Sequence, residues 1–487
     1  MTLHQDLIKI RDGLAAFQPA PAHQANTPPR INEIYAPAGH EAALDPDRPV
    51  VVGGRGVGKS FWAGSLLDGD TRKFISSQYP RLKLSECDVF LGFGGVDTID
   101  GGPPSAEVLS DLITKDRFKP EIIWRAVVLH CLRAHIDIKL PTLWRGKKGL
   151  VNWANEDSER LQLILRSADQ RLVEKKRKVV IVFDALDRLG DDWVRIRDLS
   201  KAIMRVALAL RSYRAIKPKI FIRIDQAEDP SLIDFPDASK LMGGRVDLVW
   251  ERFDLYGLLF SHLVNEENTK KPFRKLLKAK FDLSFPPSKQ AILPSEFTAN
   301  EAIQIRIFDI LAGEFMGSNP RRGKTYSWVH NHLSDAFGRV SPRSFLEALR
   351  TAANNSSQPG RAIDPKGLQA GLQSASSLRV DQLREEFHWI RNALEPLADL
   401  RVPCIDQALF DRWQEAKTIE AIKKAAKGTG YLAPVEFDND DNLLVSLLDA
   451  MKRIGVAERR TDGRINVPDI YRVAAKLLKR GGVKPTN

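Results

Sequence analysis

Between residues 31 and 255, short runs of β-branched and apolar residues alternate with long amphipathic stretches, the pattern of parallel strands covered by helices. The runs at 49–52, 88–91, 179–183, 219–224 and 246–250 are apolar without polar alternation, as strands buried on both faces are. After the third run, Ile196, Leu199, Ile203, Val206 and Leu210 recur at helical spacing and predict one apolar stripe packed on the sheet.

Breaks in the periodicity divide the rest. The Pro-rich segment 18–30 separates a short amphipathic N-terminal helix from the α/β region, because proline fixes the backbone and removes a donor. The polar turn formers of 354–360 end a second module, and weaker interruptions lie at 285–294 and 427–441. The expected organisation is an N-terminal helix and linker (1–30), an α/β core (31–255), a helical lid (256–353), a linker and helical connector (354–440) and a basic module (441–487). In the connector, Leu378, Leu383, Trp389, Ile390, Leu394 and Leu397 share a helical face. From 442 onward the pattern reads helix, hairpin about Asp462-Gly463, then a helix opened by Pro468, which is the outline of a winged helix.

Composition narrows the class. With 487 residues, 43% apolar and 28% charged, the chain is not disordered throughout. It has no apolar run near the ~18 residues of a membrane span, and MTLHQDLIKIRDG is unlike a signal peptide; a soluble, cytoplasmic protein is expected. Cys87, Cys131 and Cys404 are too scattered for a disulfide framework or a zinc site. His330 and His332 stand two apart on an expected helix and diverge, so they make no metal pair. Trp144 and Trp153 flank the basic loop at 145–149, either as a nucleic-acid clamp or as packing tryptophans.

The chemistry concentrates in VVVGGRGVGKS. A strand is followed by Gly53, Gly54, Arg55, Gly56, Val57, Gly58, Lys59 and Ser60, then by a helical stretch from Phe61. Glycines at this spacing let backbone N–H groups turn inward around a phosphate, and the helix presents its positive end to the same anion. Lys59 adds a point charge for the β- and γ-phosphates, and Ser60 offers the hydroxyl oxygen that Mg2+ prefers.

A second acidic element is expected with such a loop. KVVIVFDALDRLG supplies it: an apolar strand ending at Asp184, placed for Mg2+, with Asp187 three positions on, either orienting the attacking water or capping a helix. The strand KPKIFIRIDQ ends in Arg223 and Asp225, which serve as a γ-phosphate sensor or as a strand-terminal ion pair. This strand is expected between the loop strand and the acidic strand. Arg252, Arg322 and Arg343 are candidate arginine fingers.

These motifs resemble the ASCE branch of P-loop NTPases, specifically the STAND and KAP-like groups, and more loosely AAA+ proteins. GGRGVGKS resembles their Walker A, VVIVFDALDRL their Walker B of the DxLD type, and FIRID their sensor strand. RVDLVWERFDLYGLLFSHL resembles the fifth strand and first lid helix, and GRVSPRSFLEALRTAA a later lid helix; the resemblance places Pro342 near the base and Arg343 at the phosphates. Ala185 stands where AAA+ proteins usually carry the catalytic Glu. The resemblance implies ATP and Mg2+ as cofactors, ATP-dependent switching or assembly, self-association or a protein partner, and a role in bacterial signalling or anti-phage defence.

The net charge is +12, and the stretch 451–487 holds ten Lys and Arg against three acids. Arg459, Arg460, Arg464 and Lys476 either contact the phosphates of DNA or RNA or cover a basic arm that packs on a protein. The sequence therefore leads to an ATPase with a basic C-terminal arm, and the alternative is a non-catalytic nucleotide-gated binding regulator.

Overall fold

The computed structural model describes residues 3–17, 27–96, 101–190, 192–286, 290–429, 433–438 and 442–485, so most of the expected Pro-rich linker lies outside the described residues. The chain forms two compact units, Ala20–Val249 and Met1–Pro19 with Trp250–Asn487.

The first unit is built on five parallel strands, β1 (Val50–Val52), β2 (Cys87–Phe93), β3 (Lys178–Phe183), β4 (Ile216–Ile222) and β5 (Val246–Asp247), in the order β2-β3-β4-β1-β5. Side chains alternate between faces, so Val50, Val52, Ile181 and Phe183 join one apolar layer with Trp124, Leu199 and Ile203. Val51, Val180 and Val182 join the other with Trp62, Ala63 and Leu66. The expected stripe from Ile196 to Leu210 lies on the helix Trp193–Leu210 and is buried. Fold class and strand order match the expectation.

Strand limits differ in detail. β4 begins at Ile216 and runs through Pro218, which pairs with Ile181, so it starts three residues before the expected 219 and ends before Arg223. A proline argues against a strand interior because it lacks the ladder donor, yet here it lies in the amino half of a strand flanked by two neighbours. Lys219 in β4 is fully buried and donates to the carbonyls of Ala43, Asp45 and Arg48. Its amine thus pins the loop leading into β1, and burial pulls its pKa down to about 7.

The second unit is mostly helical. The N-terminal helix Leu3–Ala15 belongs to it, with Arg11 donating to the carbonyls of Gln358, Arg361 and Ala362. The expected break at 354–360 is a turn between two helices that pack along their length, Pro342–Asn354 and Pro365–Glu386. Asp364 caps the second helix at Gly367 N–H and ties down the turn through Ser357 and Gln358 N–H. The connector is not one helix: it breaks after Glu386 and resumes at Ile390–Leu394.

The expected hairpin forms as β6 (Glu458–Arg459) and β7 (Ile465–Asn466). Cys404 and Ile465 exchange backbone hydrogen bonds at 3.0 and 2.7 Å, so a segment some sixty residues upstream makes an isolated bridge to the hairpin. The closing helix is one short turn, Asp469–Arg472, rather than the long helix expected. Buried Arg472 pairs with Asp469 and donates to Leu477 and Val483 carbonyls, holding the C-terminal segment in place. Among the described residues no helix is long and apolar enough to cross a membrane.

Candidate functional site

β1, β3 and β4 all end at the carboxyl edge of the sheet, and three motifs come directly after them: Gly53, Asp184 and Arg223. Gly53 N–H donates to Ile222 O at 3.1 Å, which joins the start of the loop to the end of β4. The loop needs its glycines for specific reasons. Gly56 and Gly58 have φ of 77° and 104°, a region L side chains avoid, and a Cβ at Gly53 would stand 2.7 Å from Val57 Cγ2. Gly58 is the N-cap of the helix Lys59–Leu67, so that helix starts with Lys59 and Ser60 inside its first turn. Lys59 Nζ donates to Gly53 O at 2.6 Å and Gly54 O at 2.9 Å, which places its charge within the loop.

Asp184 is 2% exposed and hydrogen-bonded to the Ser60 hydroxyl. Burial raises its pKa, and the Ser60 hydrogen bond and the Lys59 charge pull it back. Its Oδ2 is buried with no hydrogen-bond partner among the described residues. An orphaned carboxylate oxygen beside a serine hydroxyl is an all-oxygen donor set, which suits a hard cation that keeps most of its waters. Asp184 and Ser60 therefore fit the Mg2+ the sequence implies.

Asp187 lies in a single 3-10 turn, Leu186–Arg188, and its carboxylate caps no helix. Instead Asp187 Oδ2 accepts from Arg55 and from Arg223, each at 3.3 Å. Arg223 is 5% exposed and also makes a bidentate pair with Asp225 at 2.9 and 2.7 Å. The strand-terminal ion pair expected for Arg223 and Asp225 is present, and the same guanidinium also reaches Asp187. Sequence reasoning gave Arg55 only a place in the phosphate loop; its pairing with Asp187 had no local signal. Ala185 sits between the two aspartates in the left-handed region, φ 54°, with Gly95 so close that a Cβ there would lie 2.8 Å from Ala185 Cβ.

A further residue bears on the loop helix. His40 is buried, its Nδ1 accepting from Trp62 Nε1 at 3.2 Å while its Nε2 faces Val249 O at 3.0 Å. That pairing fixes the neutral tautomer with the proton on Nε2, and burial lowers the pKa to about 4. No sequence pattern singled it out.

Most of the remaining candidates lie in the second unit. Pro342 and Arg343 open the helix Pro342–Asn354, whose N-cap is Ser341. Arg252 makes a bidentate pair with Glu301 at 2.8 Å, and Arg322 is exposed in a short turn. In and after the C-terminal hairpin, Arg459 is bound to Asp406 and Gly463 O, and Arg464 to Asp462, while Arg460 and Lys476 are exposed. In the first unit, Arg145 of the basic loop is held by Asp111 and Asp116, Trp144 packs on His130, and Trp153 lies under Arg160; the tryptophans are packing residues.

A parallel sheet with a glycine loop after β1, a buried aspartate after β3, and β4 inserted between them is an α/β P-loop core. No family model and no curated protein matches the sequence. Solved structures similar to it include the Aeropyrum pernix ORC1 protein in complex with DNA, 12% identical with a TM-score of 0.31 over 91% of this chain and 92% of that one. The Aeropyrum pernix ORC2 protein, in ADPNP-ADP complexes, is 10% identical with a TM-score of 0.28 over 90% and 93%. At scores this low neither likeness bears on the site.

Proposed function

We propose that the chain is a Mg2+-dependent ATPase that switches or assembles with its nucleotide state. The observation that carries this reading is the Ser60–Asp184 contact, with the orphaned Asp184 Oδ2 at the mouth of the phosphate loop. Backbone N–H groups from Gly53 to Ser60 cradle the phosphates, Lys59 binds the β- and γ-phosphoryl oxygens, and Ser60 and Asp184 hold the metal. The cation, when bound, neutralises charge on the β- and γ-phosphates. Asp187 orients the attacking water, and Arg223 with Asp225 senses the γ-phosphate. The sequence resemblance alone assigns Pro342 and Arg343 to base and phosphates, and in the second unit the exposed Arg460 and Lys476 are the residues best placed for a nucleic-acid phosphate. The closer STAND or KAP-like assignment and a part in anti-phage defence rest on sequence motifs alone.

A second reading has its own support. Asp187 Oδ2 is already engaged by two guanidinium groups, and Ala185 offers no carboxylate in place of Glu. A site of that kind suits a nucleotide-gated switch without turnover. Calorimetric titration with Mg-ATP and Mg-GTP tests binding, and single-turnover hydrolysis by wild type, Lys59→Ala and Asp187→Ala separates the two readings. Absence of heat with either nucleotide overturns both. Hydrolysis lost in Asp187→Ala with ATP affinity kept supports the ATPase.

A further inference from the structure

The opposite edge of the same sheet has a feature the nucleotide reading does not use. Where β1, β2, β3 and β4 begin, the connecting segments enclose an open groove of about 970 Å³ lined by seven basic and four acidic residues. These segments come from four separate stretches, 41–48, 81–87, 173–178 and 214–215, so the groove is made by the topology and not by a single charge run. A strand of six residues spans ~20 Å, which separates the groove from the phosphate loop.

The charges divide into two sets. Lys178 pairs with Asp47 at 2.7 Å, and Arg177 pairs with Asp88. Arg81, Lys83, Lys176 and Arg214 are exposed and have no acidic partner among the described residues, and neither Glu41 nor Glu86 has a basic one. A second groove of about 560 Å³ adjoins the first, sharing Val173 and Arg214. Its floor is apolar, with Leu161, Leu165 and Leu210, and its rim carries Arg125 and Arg166, also without acidic partners among the described residues. Asp169, on the same rim, is occupied by the backbone N–H groups of Arg214 and Ala215 at 3.1 and 2.7 Å.

This lining selects among anionic ligands. Phosphate chains offer acceptors only and so nothing for Glu41 and Glu86 to accept from, and across the two grooves the one aromatic side chain in the lining is Tyr213, too little for a run of stacked bases. A peptide offers carboxylates to the unpaired cations, backbone N–H groups to the carboxylates, and apolar side chains to the adjoining floor. We propose that this double groove at the amino edge of the sheet docks an acidic, partly apolar segment of a protein partner.

The test is fluorescence anisotropy of the full chain with a labelled peptide of alternating Glu and Leu. The isosteric Gln-Leu peptide, a duplex DNA and inorganic polyphosphate serve as the other arms. The expected result is saturable binding of the acidic peptide that weakens at least ~10-fold between ~50 and ~300 mM salt. The same loss is expected in the Lys83→Glu/Lys176→Glu variant and in Arg214→Glu, with the thermal midpoint unchanged. No binding of the acidic peptide overturns the proposal. Equal binding of the Gln-Leu peptide, or affinity unchanged in both folded variants, also overturns it. DNA or polyphosphate binding more tightly than the peptide, and lost in the same variants, replaces it with a phosphate site.

Discussion

Arg55 and Asp187 stand 132 positions apart in the chain and meet at 3.3 Å above the carboxyl edge of the sheet, with Arg223 on the same carboxylate oxygen from the other side. The glycine loop after β1 and the end of β4 are thereby joined through one acidic side chain. On the proposed reading, bound phosphates would attract the same guanidinium groups, so that nucleotide and Asp187 would compete for Arg55. If Asp187 orients the attacking water, Asp187→Asn lowers the single-turnover rate by about 10²–10⁴-fold with ATP affinity within a few-fold of wild type. Arg55→Gln, in contrast, moves ATP affinity as well as rate. Rapid-quench hydrolysis beside calorimetric titration of each variant checks this pair of outcomes.

Asp184 gives a stability prediction with a sign. Its folded-state pKa is raised, chiefly by burial, from 3.8. Below the unfolded value the folded chain holds the neutral acid without penalty. As pH rises through and above that value the buried carboxylate ionises, and metal-free stability falls. Asp184→Asn is therefore more stable than metal-free wild type at pH 7, and the difference disappears on acidification below ~4. Mg-ATP narrows the gap at pH 7 by binding wild type, while Asn loses much of the metal affinity. Urea denaturation at several pH values, with and without Mg-ATP, reads all three.

The two halves of the site were unequally legible in the sequence. The place of β4 is expected from the type of fold the motifs imply, whereas the loop from Gly53 to Ser60 and Asp184 after an apolar strand arise from local pattern, since strand, glycine spacing and charge lie within a dozen residues. What joins them does not. The pairs Arg55–Asp187 and Arg223–Asp187 depend on the register of β1, β3 and β4, which no periodicity encodes. The same limit explains the hairpin, whose backbone bridge to Cys404 was hidden because its partner Ile465 is remote. It also explains Lys219, placed at the start of an expected strand but given no partner there, since the carbonyls of the 43–48 loop that receive it are remote in sequence.

His40 predicts a second pH dependence, of opposite sign to Asp184. Its folded-state pKa is lowered from 6.5 to about 4, chiefly by burial, so the unfolded chain takes up a proton that the folded chain refuses. The stabilisation is complete above pH 6.5 and is lost as pH falls toward 4, by on the order of 3 kcal/mol. In His40→Gln that part of the decline is absent, and Trp62 loses its acceptor. Unfolding free energies of wild type and His40→Gln between pH 7 and pH 4 measure it; parallel curves refute it.

The helix pair of the second unit makes a prediction that runs against helix propensity. Alanine in place of a helix-interior glycine ordinarily stabilises by up to ~1 kcal/mol, because it removes backbone freedom from the unfolded chain. Gly367 and Gly371 lie one turn apart on the helix Pro365–Glu386, where an added Cβ would overlap the carbonyl oxygens of Ala352 and Ala348 on the helix Pro342–Asn354. Those atoms are backbone and cannot rotate aside, so the helices must separate and the apolar contacts between them, Leu349 and Leu372 included, must loosen. Gly371→Ala is expected to destabilise by ~1–3 kcal/mol, and Gly371→Val by more. Gln369→Ala, exposed on the same helix, stays within ~0.5 kcal/mol of wild type. Urea midpoints of the three variants decide the matter, and a stabilised Gly371→Ala would mean that the two backbones do not approach this closely.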